Sequence, residues 1–307
     1  MAESRSLEGR VIRSFGNRFI VQTSAGTFDC GLRGRLRLSE EKTHTPVAVG
    51  DRVVIEVDEV PYGVIASVGP RRNKISRPHV EKPDWEQVLI ANCDQLIVIA
   101  SLVKPRLKYG AIDRLLIAAE KAGMKGVVVL NKTDLAESGG CDAPASVYRS
   151  VGYTVIPTSA KNGDGLDTLR ECVRLKTSLF AGHSGVGKSS LLNALEPGLD
   201  LRTRQISVAT GKGTHTTTSI QLYHLSFGGY LADMPGLKVI GLWDLVPDEL
   251  PALYPEFVPH LGQCRFANCV HIGEPDCAIK NAVDAGSIPK PRYEGYLRIR
   301  QSLTGKG

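Results

Sequence analysis

The sequence lacks any apolar run approaching the roughly 20 residues a bilayer span requires, which argues against a membrane-spanning role. Its N-terminus, MAESRSLEGR, lacks the apolar core of a secretory signal, so a cytoplasmic location is expected. Internal repeats and low-complexity segments are also missing. The seven cysteines are an odd number, and in a cytoplasmic chain that argues against a disulfide framework. What is present fits a globular protein: 307 residues, 42% hydrophobic and 23% charged, with room for two or three domains.

The net charge of +6 is unevenly spread. Residues 1–78 hold 13 lysines and arginines against 9 acids, residues 278–307 hold 6 against 2, and the middle is mildly acidic. Basic ends imply contact with a polyanion at the flanks. Arg18, Arg33, Arg35, Arg37, Arg52, Arg71 and Arg72 near the start, and Arg292, Arg298 and Arg300 near the end, are candidates to touch phosphates. Phe19 and Phe28 fit core packing better than base stacking.

The first seventy residues alternate apolar and polar positions around glycine-containing turns, as in VIRSFGNRFIVQT and GDRVVIEVD, which predicts a small β-barrel. A proline-bearing stretch, Pro70 to Pro83, reads as a linker. Apolar strands then alternate with helical stretches: residues 94–101, 125–134, 152–160 and 176–185 as strands, with a helix over 111–123. That pattern predicts a mostly parallel sheet covered on both faces. The tail beyond about residue 240 is rich in proline, cysteine and histidine, and it ends in a basic helix over 293–303. The expected domains are 1–72, 73–240 and 241–307: a small β-barrel, an α/β domain and a helical segment bearing the clustered cysteines.

Gly182-His183-Ser184-Gly185-Val186-Gly187-Lys188-Ser189, followed by Ser190, sits between an apolar strand and a helical run. This is the phosphate-binding loop pattern: glycines curl the backbone around phosphate oxygens, Lys188 reaches the β- and γ-phosphates, and Ser189 ligates Mg²⁺. Asn131-Lys132-Thr133-Asp134 also follows a buried strand. A carboxylate at Asp134 can accept from the N1–H and 2-amino groups of guanine, which adenine lacks. Ser159, Ala160 and Lys161 end another strand and would back the base. Asp233 and Gly236 bracket an Asp-x-x-Gly element suited to Mg²⁺ and the γ-phosphate, and Thr217 is favoured over Thr216 to complete the metal shell. In most GTPases the phosphate loop comes first and the base elements last. Here the order is reversed, so the domain is read as circularly permuted.

Cys264, Cys269, His271 and Cys277 place three thiols and an imidazole within fourteen residues. Tetrahedral Zn²⁺ in closed structural sites takes such a ligand set.

With these motifs in this order, the chain resembles the RsgA (YjeQ) family of circularly permuted GTPases. The resemblance implies an N-terminal OB-fold, one zinc ion, Mg²⁺ with GTP or GDP, and the small ribosomal subunit with its 16S rRNA as partner. The chain is expected to act as a monomer. Many GTPases carry glutamine just after Asp-x-x-Gly to orient water, but this chain has Leu237. The resemblance points instead to His215 in the switch stretch as the water-positioning residue. Two other readings stay open here: an RNA-binding module gated by nucleotide with incidental hydrolysis, and a GTPase whose task is zinc handling.

Overall fold

The structure is a computed structural model that describes residues 5–34, 46–79, 81–137, 139–199, 220–233 and 242–305. They group into two units, one drawn from 1–94, 173–179 and 196–235, the other from 95–172, 180–195 and 236–307.

In the first unit, β1 (Arg5–Phe15), β2 (Arg18–Thr23), β3 (Gly26–Leu32), β4 (Arg52–Glu59) and β5 (Tyr62–Val68) close a barrel in the order β1-β2-β3-β5-β4. Alternation along each strand sends Val11, Phe19, Val21, Phe28, Ile55 and Ile65 inward. Both phenylalanines are thus core residues. Closure joins β1 to β4 in antiparallel register, from Arg5 opposite Val57 to Arg10 opposite Arg52. The proline-bearing stretch read as a linker instead holds β6 (Lys74–Pro78), paired antiparallel with β7 (Glu86–Ala91). Pro78 stands at the end of its strand, where a missing N–H is tolerated.

The second unit follows the predicted alternation: β8 (Gln95–Ser101), α1 (Tyr109–Lys121), β9 (Lys125–Asn131), α2 (Asp142–Arg149), β10 (Thr154–Thr158), α3 (Leu166–Val173), β11 (Thr177–Gly182) and α4 (Lys188–Leu195). The strands run in the order β10-β9-β8-β11. β8 and β11 are buried along their whole length, as a sheet covered on both faces demands. Parallel register aligns Ser101 with Asn131 and Asn131 with Thr158, so three strand ends form one row. Ligands of open α/β sheets bind at such carboxyl edges. The amino-terminal half of β11 belongs to the first unit, where the order continues β11-β13-β12 with β12 (Leu222–His224) antiparallel to β13 (Tyr230–Asp233).

The tail forms short 3-10 turns at Leu250–Leu253 and Val258–His260, then α5 (Ala278–Asp284) and α6 (Lys290–Thr304). Arg292 does not reach solvent. It is fully buried, donating to Asp113 of α1 at 2.6 Å and to Glu256 at 2.6 Å, with its guanidinium 4.6 Å from the Tyr254 ring centroid. Burial drives the Asp113 carboxyl up to about 6 even though Arg292 opposes the shift. Arg300 is also buried, donating to the Pro247 carbonyl at 2.7 Å. The expectation that these two arginines contact phosphates is therefore overturned. They serve the interior, because α6 turns Arg292, Tyr296, Ile299 and Arg300 toward one buried face.

Removing one partner of a buried ion network leaves uncompensated charge costing about 3–5 kcal/mol. Arg292→Ala should therefore lower the thermal unfolding midpoint by roughly 10 °C, measured by calorimetry. A shift under about 2 °C would show that the network does not anchor α6 on α1.

Candidate nucleotide site and metal cluster

The phosphate-loop sequence forms the turn between β11 and α4. Gly185 and Gly187 have φ of +81° and +98°, the left-handed conformations that let successive amides converge on an anion. At Gly187 a Cβ would collide with the Asn131 side-chain amide, and at Gly182 with the Ile99 carbonyl oxygen. Only glycine allows either approach. Lys188 Nζ donates to the carbonyls of Gly182 at 3.0 Å and His183 at 3.4 Å, so its ammonium overhangs the loop. His183, Ser184 and Gly185 are exposed at the loop's rim, Val186 is buried beneath it, and Ser189 and Ser190 open α4.

The Asn131–Asp134 segment docks against this loop. Asn131 is 1% exposed. Its amide donates to the Val186 carbonyl at 2.9 Å, and its Oδ1 accepts from Thr158 Oγ1 at 3.2 Å and Ala160 N at 3.3 Å. Lys132 has φ of +65° and donates through Nζ to Gly185 O at 2.6 Å and to Lys104 O. Asp134 is half-buried and accepts from Ser159 Oγ at 2.7 Å, which fixes its carboxylate. Ser159 Oγ also accepts from Asn162 N at 3.1 Å, tightening the turn that carries Ala160 and the exposed Lys161. Thr133 and Asp134 begin a short 3-10 turn directly after β9. Thus Asn131–Asp134, Ser159–Lys161 and Gly182–Ser189 converge on one edge. Asp233 ends β13 in the first unit. His215, Thr217 and Gly236 lie outside the described residues.

The cysteine cluster is assembled as well. The ligand atoms of Cys264, Cys269, His271 and Cys277 all lie within 4.8 Å of one another. Cys264 Sγ stands 4.0 Å from Cys277 Sγ, too far for a disulfide, and His271 Nδ1 lies 3.5 Å and 3.4 Å from these two sulfurs. A tetrahedral ion at about 2.3 Å from each thiolate needs sulfurs just under ~4 Å apart, so the donor set fits such an ion. Burial holds His271 below its ordinary pKa, which keeps the ring neutral and able to ligate. Tyr293 and Tyr296 hydroxyls donate to the His271 and Val270 carbonyls at 2.8 Å and 2.7 Å, fixing the loop from α6.

A family model described as RsgA GTPase matches residues 68–243, and one described as RsgA N-terminal domain matches residues 8–65. The chain belongs to the RsgA GTPase family. Among its relatives, the small ribosomal subunit biogenesis GTPase RsgA of Gemmatimonas aurantiaca is 40% identical, over 98% of this chain and 99% of its own. The protein of the same name from Moorella thermoacetica is 40% identical, over 95% of each chain. The crystal structure of YjeQ from Thermotoga maritima superposes with a TM-score of 0.82 at 36% identity, covering 99% of this chain and all of that one. YloQ, described as a circularly permuted GTPase, superposes with a TM-score of 0.76 at 29% identity, covering 99% and 96%. Among the described residues no helix is long and apolar enough to cross a membrane.

For this RsgA family chain, several candidate RNA-facing arginines prove already engaged. Arg71 lies 2.7 Å from the fully buried Asp51, Arg18 is 2.5 Å from Asp29, Arg33 is 2.6 Å from Glu56, and Arg72 is 2.6 Å from Asp94. Arg35 and Arg37 lie outside the described residues. Glu274 is a residue that sequence reasoning passed over. Its carboxylate accepts from the N–H groups of Val270 at 2.8 Å, Ile272 at 2.9 Å and Gly273 at 3.0 Å, clamping the loop that presents His271. Burial opposes its ionisation, but these N–H groups outweigh it and hold the acid down at about 2. The available signal was an acid beside Gly273 inside the ligand-bearing loop.

Glu274→Ala should cost about 1–3 kcal/mol through orphaned amides and hasten metal loss to a chelator severalfold relative to the unsubstituted protein. An unchanged release rate, followed with a metal-sensitive dye, would remove Glu274 from the cluster's support.

Proposed function

We propose that the chain is a GTPase that binds the small ribosomal subunit and its 16S rRNA, hydrolyses GTP to GDP and phosphate, and assists late maturation of that subunit. The observation that carries the nucleotide part is the Asn131 side chain. It ties the element bearing Asp134 to the loop bearing Lys188, so base and phosphate recognition share one frame. The relatives named as small ribosomal subunit biogenesis GTPases support the ribosomal part.

In this reading Asp134, with Ser159 setting its orientation, takes the guanine edge, and Asn131, Lys132 and Thr133 hold that element in place. Ser159, Ala160 and Lys161 support the base from behind. The amides of Gly182–Ser190 and the Lys188 ammonium hold the phosphates, with the amino-terminal end of α4 adding its positive end. Mg²⁺, when bound, neutralises charge on the β- and γ-oxygens. Ser189 and Thr217 are the residues we assign to it, with Asp233 and Gly236 supplying the second switch element. His215 is the residue we assign to water positioning. The cysteine cluster holds one structural Zn²⁺, since all four tetrahedral positions are taken by protein ligands. We assign domains to 1–72, 73–240 and 241–307, place the protein in the cytoplasm, and expect a monomer.

Single-turnover hydrolysis should be slow alone and at least tenfold faster with small subunits, in the manner of GTPases completed in trans. Equal rates would count against ribosome dependence. Asp134→Asn should weaken GTP by roughly a hundredfold, as expected when one side of a charged hydrogen-bonded pair is lost. It should also admit xanthosine triphosphate, whose 2-oxo group matches the new amide donor. Unchanged GTP affinity would remove Asp134 from base recognition.

A further inference from the structure

The barrel unit contains a cleft of about 720 Å³ on the side where β1 meets β4. Its lining carries Arg10, Arg52, Arg72 and Lys176 against a single carboxylate, Asp94. That carboxylate is already occupied: it accepts from Arg72 at 2.6 Å and from Thr177 N at 2.7 Å.

Arg10 and Arg52 are direct cross-strand partners. Like charges facing each other across antiparallel strands are destabilising. Among the described residues no carboxylate lies within ion-pair distance of either guanidinium. Arg10 is instead held by Thr177 Oγ1 at 2.8 Å and by the Tyr230 ring, with its guanidinium carbon 4.7 Å from the ring centroid. A neutral hydroxyl and an aromatic face fix the side chain without cancelling its charge. Burial draws the Arg10 pKa below its usual value, and the neighbouring Arg52 pulls in the same direction. The pair is therefore a repulsive feature with a fixed geometry, one that an external anion would relieve.

We propose that this cleft is a phosphodiester-binding track, in which Arg10 and Arg52 engage consecutive backbone phosphates of an RNA strand. A closed set of donors would mark a site for one free phosphate, whereas an open cleft with several cations along it suits a linear polyanion. The track is centred on Arg10 of β1 and Arg52 of β4, which among the described residues have no ion-paired carboxylate, whereas Arg18 and Arg33 are already neutralised. The assignment rests on the reading above that the protein contacts rRNA.

The test is binding of the full chain to 16S rRNA over a series of KCl concentrations. Arg52→Glu is the main variant, because Arg52 is exposed on the barrel, and Arg10→Gln is the second. Each should weaken binding by about tenfold and lower the slope of log affinity against log salt by about one. Guanine-nucleotide affinity serves as the folding control and should not change in Arg52→Glu, while the melting temperature should hold or rise because the introduced carboxylate would face Arg10 with opposite charge. Arg18→Glu, on the ion-paired face, should alter RNA affinity less than twofold. If the unsubstituted protein binds rRNA but Arg52→Glu binds it equally with the same salt slope, the track is overturned and the RNA reading stands. If the unsubstituted protein does not bind rRNA at all, the RNA reading falls and the track with it. Displacement of RNA by inorganic phosphate at an equal phosphate concentration would overturn the polymer assignment in favour of a free-phosphate site.

Discussion

The Asn131 side chain joins three loops that the chain supplies from widely separated positions: the end of β9, the turn after β10 at Thr158–Ala160, and Val186 in the phosphate loop, 55 residues away. It is buried, so every polar atom it presents needs a partner, and breaking one contact leaves an unpaired group in a low-dielectric setting. That cost makes the three loops one rigid body. Gly187 belongs to the same constraint, because any Cβ there would displace the amide. Lys132 adds a second bond to the same loop through Gly185. In the function proposed above, a nucleotide would meet phosphate donors and base acceptors whose spacing is set in advance, which lowers the ordering cost of binding.

Reversed motif order is compatible with this geometry because the tie is made by side chains and not by chain continuity. In parallel register Ser101, Asn131 and Thr158 line up at one sheet edge whichever strand comes first. The permutation moves the ends of the domain elsewhere. Residues 236–307 follow the strand that ends at Asp233, and from this segment α6 returns to α1 through Arg292 and Asp113. Since α1 lies between β8 and β9 in sequence, the cysteine-cluster segment is anchored on the helix that precedes the strand ending at Asn131. Tyr293 and Tyr296 of the same α6 brace the His271 loop. One helix thus holds the cluster on one side and the nucleotide domain on the other.

The nucleotide elements and the cluster were legible in the sequence because their chemistry is local. A glycine-rich loop, an Asn-Lys-x-Asp run and four soft ligands each lie in one short stretch, and the barrel strands announce themselves by alternation. What escaped depends on partners far apart. The Arg292–Asp113 pair spans 179 positions. Counting charge alone makes Arg292 a surface residue, although its spacing from Tyr296, Ile299 and Arg300 follows a helical face and could have signalled burial. The β6–β7 pair was hidden by prolines, of which Pro78 ends β6 while Pro70 and Pro83 lie outside both strands. Glu274 gave little warning, since its role rests on three amides presented by a turn that sequence alone does not draw.

Charge on the barrel shows the same limit from the other side. Arg18, Arg33, Arg71 and Arg72 look interchangeable with Arg10 and Arg52 in sequence, yet each of the first four has its own carboxylate. A neutralised arginine on a surface contributes little field and must break an ion pair before it can serve a phosphate. Among the described residues Arg10 and Arg52 have no ion pair to break. Their opposition across β1 and β4 costs the barrel stability, and Thr177 and Tyr230 hold Arg10 in that position without relieving the repulsion. A fold that maintains a repulsive pair in an open cleft is organised for a partner that supplies the missing negative charge.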